Sequence, residues 1–92
     1  MGQPVKQLQQ TTKFEKDLAR MKKRGMDLRI LQQVVLTLLH DEPLPVKHRD
    51  HPLTGNWKAH RECHLSPDWL LIYRTTKDYV RLERTGTHSD LF

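Results

Sequence analysis

A single cysteine, Cys63, excludes an internal disulfide, so nothing in the chain calls for an oxidising compartment and the cytoplasm is the expected location. Long hydrophobic runs are missing as well. The longest, VVLTLL at 34–39 and WLLIY at 69–73, fall far short of the roughly 20 apolar residues of a membrane-crossing helix. The opening MGQPVKQLQQ has no apolar stretch of the secretory kind, and Lys6 stands where a myristoylation signal carries Ser or Thr. A soluble, unprocessed protein without a membrane partner is expected. No internal repeat or low-complexity tract appears, which excludes a solenoid or a long disordered tail. With 92 residues the chain supports one modest core, hence a single domain over residues 1–92.

What the chain does hold is positive charge and histidine. Sixteen Lys and Arg against eleven Asp and Glu give a formal net charge of +5 before any of the six histidines is protonated. Such an excess draws anionic partners, nucleic acid or an acidic protein, through its long-range field.

Hydrophobic spacing outlines the architecture. Residues 5–11, VKQLQQT, suit a polar edge strand. Thr12 with Glu15 matches a capping box, opening a helix from about Lys13 to Arg24 that Gly25 stops. Phe14, Leu18 and Met21 recur at helical spacing as its buried stripe, while Lys13, Lys16, Arg20 and Lys23 form a basic ridge. A ridge of this kind is either a solvated face or a contact for phosphate or an acidic partner. Asp27 caps a second helix to about His40, with Leu28, Leu31, Val34, Val35, Leu38 and Leu39 apolar. Only Gly25 and Met26 separate the two, so they form a hairpin. A stiff, proline-bearing loop follows, DEPLPVKHRDHPLTGN. Three strands, WKAHRECH, DWLLIYRT and YVRLERT, then make an antiparallel meander through short turns. The expected fold is α+β: a two-helix hairpin packed on a small antiparallel sheet.

The segment RDHPLTGNWKAHRECHLSPDW, residues 49–69, concentrates three histidines and two tryptophans. Two chemistries compete for it. His48 with His51, and His60 with Cys63 and His64, superficially match zinc pairs. Strand alternation argues against that reading, because His60, Glu62 and His64 share a face and Cys63 points the other way. The second chemistry is proton transfer on RNA. A ribose 2′-OH must lose a proton and attack the adjacent phosphate, and the leaving 5′-oxygen must gain one. Histidine, with an ordinary pKa of about 6.5, serves both tasks near neutrality. His51, His64 and His88 are the candidates for protons. Arg61, Arg84 and Lys58 are those for phosphate charge, and Trp69 and Phe92 those for stacking on bases.

The segments DHPLTGNWKAHRECHLSPDWLLIY and RLERTGTHSDLF resemble the YafQ branch of the RelE-type toxins, the ribonuclease halves of bacterial type II toxin–antitoxin pairs. The resemblance is close over residues 49–92, and the helix hairpin fits it in length and order. It implies two helices on an antiparallel sheet and metal-independent cleavage of messenger RNA in the ribosomal A site, without a cofactor. His51 of DHPL, His64 and Asp68 of HLSPDW, and His88 of RTGTH match the family's catalytic positions. Arg84, Trp69 and Phe92 match those that hold phosphate and bases. On this pattern Asp68 and His64 orient or activate a neighbouring histidine, His88 and His51 divide the acid and base tasks, and Arg84 stabilises charge at phosphorus. The implied partners are the bacterial ribosome with its A-site message and an acidic, DinJ-like antitoxin of the ribbon-helix-helix type. DNA would be reached only through that antitoxin. The other function class that the composition admits is a non-catalytic RNA- or ribosome-binding module, and a third is an adaptor for an acidic protein.

Overall fold

The computed structural model describes residues 5–92; the opening MG, on which the expectation of an unprocessed terminus partly rests, lies outside the described residues. The chain runs β1 (Gln7–Gln10), α1 (Thr12–Lys23), α2 (Leu28–Leu39), β2 (His51–Pro52), β3 (Arg61–Ser66), β4 (Trp69–Thr75), β5 (Tyr79–Gly86) and α3 (His88–Leu91), with 3-10 turns at Val46–His48 and Gly55–Trp57. Among the described residues no helix is long and apolar enough to cross a membrane.

The helix hairpin forms as its sequence dictates. Asp27 caps α2 by accepting the Arg29 N–H at 3.0 Å, and Gly25, at φ +83°, supplies the left-handed turn between the helices. The cap of α1 is Thr11 and not Thr12: its hydroxyl accepts the Phe14 N–H at 3.0 Å and donates to the Glu83 carbonyl at 2.8 Å. Thr11 is still tied to the sheet through its own N–H, which reaches the Leu82 carbonyl, so the chain passes from strand to helix with no spare residue.

The sheet has five strands in the order β1-β5-β4-β3-β2. The meander β3-β4-β5 is antiparallel as expected, but β1 lies parallel to β5, so the sheet is mixed. The two helices form the crossover that a parallel pair requires and cover one face of the sheet. There Phe14, Met21 and Val34 pack against Cys63, Leu71 and Tyr73 in one buried cluster. The strand expected to begin at Trp57 starts instead at Arg61, because Gly55 at φ +65° and Ala59 at φ +72° hold the preceding residues in a turn.

Two bulges aim the other face. On β5, Leu82 pairs with Tyr73 and Arg84 with Ile72, leaving Glu83 unmatched. The extra residue reverses the alternation, so Arg84 leaves the face that Leu82 shares with the core and joins the opposite one. On β3, Leu65 is the extra residue between His64, opposite Leu70, and Ser66, opposite Trp69. Cross-strand partners point to the same face. His51, Glu62, Ile72 and Arg84 therefore form one row across the open face, and His64, Leu70 and Gly86 the next.

The edge strands are short, and side chains take over where they stop. Past β1, the buried carboxylate of Asp17 on α1 accepts the Thr85 N–H of β5 at 3.2 Å. Past β2, the Nδ1 of the buried His48 reaches the His64 carbonyl of β3 at 2.7 Å. These contacts satisfy backbone groups that a longer neighbouring strand would have paired.

Helix α3 follows from a capping box in which Thr87 and Asp90 each accept the other's backbone N–H. Asp90 also receives the Arg24 guanidinium at 2.7 Å, and these bonds hold its carboxyl well below the usual range, the Arg24 contact contributing most. A Cβ on Gly86 would stand 2.9 Å from the Cβ of Asp90. Gly86→Ala is therefore expected to displace α3 and cost about 1–3 kcal/mol. A thermal melt measures the loss, and faster amide exchange at His88–Leu91 locates it.

Candidate active site

Three imidazoles line up on the open face. His64 is central, its ring centroid 6.4 Å from that of His51 and 5.9 Å from that of His88. Beneath them Leu70 and Ile72 are wholly buried yet stand outside the helix-side core cluster, which gives the histidines an apolar floor. Polar interactions gain strength against such a floor.

Each outer ring is oriented by acceptors. The Nδ1 of His88 lies 2.7 Å from Oδ1 of Asp68, and the same oxygen accepts the His88 backbone N–H at 3.1 Å. The ring proton therefore sits on Nδ1 and Nε2 is left for chemistry. These two bonds, the ring's first, hold the Asp68 carboxyl below its ordinary pKa. At the other end, Nδ1 of His51 donates to the Arg49 carbonyl at 2.7 Å, while Nε2 stands 3.4 Å from Oε1 of Glu62. Arg49 holds that carbonyl in place at a left-handed turn, φ +47°. Glu62 is buried, and its Oε1 also stands 3.8 Å from Nε2 of His64. One carboxylate thus faces two of the three rings.

Arg84 is anchored by Asp17, whose Oδ2 accepts its Nε at 2.6 Å and whose Oδ1 accepts Nη2 at 3.2 Å. The hydrogen bond to Asp17 raises the guanidinium pKa, which keeps this cation charged. Around the pair Lys13, Lys16 and Arg20 line a surface depression, so the basic ridge of α1 continues into Arg84.

The expected site residues divide into three groups. His51, His64, Asp68 and His88 come together, and Arg84 shares their face; Phe92, 64% exposed just after α3, is presented to solvent. Two expectations are corrected. Trp69 is 1% exposed, and its indole N–H donates to Thr85 Oγ1 at 2.9 Å, so it is a core residue beneath the site and not a stacking surface. Arg61 pairs with Tyr73, on the face of β3 opposite to Glu62 and His64, and its Nε donates to Asp50 at 3.2 Å. Lys58 stays an exposed cation in the turn before β3, its backbone carbonyl 3.2 Å from Nδ1 of His60. The zinc-like pairs also come apart, since Cys63 is buried in the core and its burial pushes the thiol pKa far up. Asp17 was missed, and His48 was weighed only as a zinc ligand. Asp17 falls on the α1 stripe, three residues after Phe14 and four before Met21, where a carboxylate must have a partner.

Residues 6–92 match the family model described as the bacterial toxin of type II toxin–antitoxin systems, YafQ. The chain belongs to this family. It is 44% identical over 80 residues to the mRNA interferase toxin YafQ of Escherichia coli K12, spanning 86% of this chain and 87% of that one. The fold superposes with a TM-score of 0.89 on a chain of the E. coli DinJ–YafQ toxin–antitoxin complex, at 39% identity and 96% and 98% coverage. It also superposes at 0.90 on a metal-bound toxin from Helicobacter pylori, at 44% identity and 96% and 100% coverage. The E. coli and H. pylori folds are, like this one, α+β.

Proposed function

We propose that this chain is an endoribonuclease toxin that cuts messenger RNA in the ribosomal A site by acid–base catalysis, without a metal. The observation that carries the reading is the row of three imidazoles on the open face, with His88 fixed by Asp68 at one end and His51 by Arg49 at the other. Nε2 of His88, its ring oriented by Asp68, accepts the 2′-OH proton. The freed oxygen attacks the adjacent phosphorus. His51, its Nδ1 held by the Arg49 carbonyl, hands a proton from Nε2 to the departing 5′-oxygen. The products are a 2′,3′-cyclic phosphate and a 5′-hydroxyl. A phosphate held over His64 has acid and base on opposite sides, as in-line displacement requires. Arg84 offsets the charge that develops on the phosphoryl oxygens, and Phe92 offers a face to a base. A histidine nitrogen that accepts a proton, a histidine N–H that gives one and an arginine supply the whole set of functions, and the one thiol of the sequence motif is turned away from them.

The partner that silences such a toxin is an acidic antitoxin like DinJ, drawn by the same cationic face. The E. coli relative is known in complex with DinJ. The ribosome and its message are the substrate assembly, and the cytoplasm is where both meet the chain.

The test is to deplete the protein of transition metals by dialysis against EDTA and add it, in magnesium, to ribosomes programmed with a lysine codon in the A site. A new 5′-hydroxyl end inside that codon is the expected result. Intact message on ribosomes that nevertheless bind the protein would favour a binding module built on the α1 ridge.

Single-turnover cleavage is also expected to follow a bell-shaped pH profile, falling at low pH as the base is protonated and at high pH as the acid is lost. Asp68 does not shape this curve. Its pKa is depressed in the fold, so the contribution of its pair with His88 is complete above the unfolded value of about 3.9 and disappears only as pH falls through the lower folded value. A rate flat from about pH 5 to 9 contradicts histidine acid–base chemistry.

A further inference from the structure

The geometry points to His48 as a positioning residue for His64: its ring N–H holds the backbone carbonyl of that residue and so fixes where the central imidazole stands. The inference rests on the nuclease reading above. His48 ends the 3-10 turn Val46–His48 that precedes β2, and it is 8% exposed. Its Nδ1 lies 2.7 Å from the His64 oxygen. A carbonyl only accepts, so the proton is on Nδ1, and the bond persists whether the ring is neutral or charged.

Position gives this contact its importance. Strand β2 pairs with β3 only at Arg61 and Glu62. Immediately beyond, β3 carries its bulge between His64 and Ser66 and then turns through Pro67 to Asp68. His64 therefore occupies the point where the strand loses its outer neighbour and its regular inner pairing together. The imidazole of His48 replaces the missing strand at that point. Without it, the His64 carbonyl is unpaired at the edge and the bulge is free to shift. Because His64 and Asp68 flank the bulge, a shift moves both the middle ring and the carboxylate that orients His88.

Two variants of similar shape separate the hydrogen bond from packing. His48→Asn places an amide N–H where Nδ1 stands, whereas His48→Leu fills the space without a donor. His48→Leu is expected to lower the single-turnover cleavage rate at saturating protein roughly ten-fold, and His48→Asn to stay within about three-fold of the wild type. The concentration giving half-maximal rate should be unchanged in both. The carbonyl carbon resonance of His64 should move in the Leu variant and much less in the Asn variant. Equal losses in the two variants, or a His64 resonance unmoved in His48→Leu, overturn the positioning role. A wild type that leaves A-site message intact overturns the nuclease reading itself, whereas a wild type that cuts, with His48→Leu cutting equally fast, overturns only the role of His48.

Discussion

His88→Ala is expected to reduce single-turnover cleavage by roughly 10²–10⁴-fold, the usual contribution of a positioned general base. The fold should scarcely register the change. The His88 side chain is 55% exposed, and its backbone N–H, which reaches Asp68, survives the substitution. A shift in stability within about 0.5 kcal/mol is expected for such a surface position. Binding to the programmed ribosome should also persist, since the α1 ridge and Arg84 are untouched. Asp68→Asn is the companion measurement. It keeps an oxygen for the ring N–H but removes the charge that favours the protonated ring in the transition state, so it should fall between wild type and His88→Ala. Cleavage by His88→Ala at the wild-type rate would remove His88 from the reaction and leave the base to His51 or His64.

Asp17→Ala is expected to be the most destabilising single change at the site, costing about 2–4 kcal/mol. Three groups lose their acceptor at once: the Arg84 guanidinium, the Arg20 guanidinium and the Thr85 N–H. The Thr85 amide is the gravest loss, because Thr85 is fully buried. Arg20, with its side chain 41% exposed, contributes little. For a domain of this size each kcal/mol lowers the melting temperature by about 4–8 °C, so a fall of more than 10 °C is anticipated. Activity should drop further than the melt explains, since Arg84 loses the partner that aims it. Asp17→Asn retains an acceptor for Thr85 and is expected to recover part of the stability but not the alignment of Arg84. A melt of Asp17→Ala within a degree of wild type would show that Arg84 and Thr85 find other partners.

Periodicity made both helices legible, with Asp27 and Gly25 in the roles their chemistry suits, and the three-strand meander followed from alternation and short turns. What escaped was set by distant contacts. Gln7–Gln10 carry no apolar alternation, so nothing local reveals that they pair in parallel with β5. The bulges are equally silent in sequence, yet the one on β5 decides that Arg84 leaves the core face for that of the histidines. Arg61 and Trp69 failed as ligand contacts for the same reason: residue type suggested chemistry, while the register turned one to the opposite face and buried the other. Asp17 left a clear trace, a carboxylate on an apolar stripe, and the Thr87–Asp90 box was there to be read as a helix start.

The parallel pairing of β1 with β5 also orders events in time. Gln7–Gln10 are among the first of the described residues made, and their partners Tyr79–Leu82 come only after both long helices and three other strands have been synthesised. A chain that emerges at roughly 5–20 residues per second has its helices well before it has the meander to dock them against. His88 follows every strand in chain order, and its orienting carboxylate is of no use until β5 is seated. On the nuclease reading the growing chain therefore has all of its scaffold elements before it has a site.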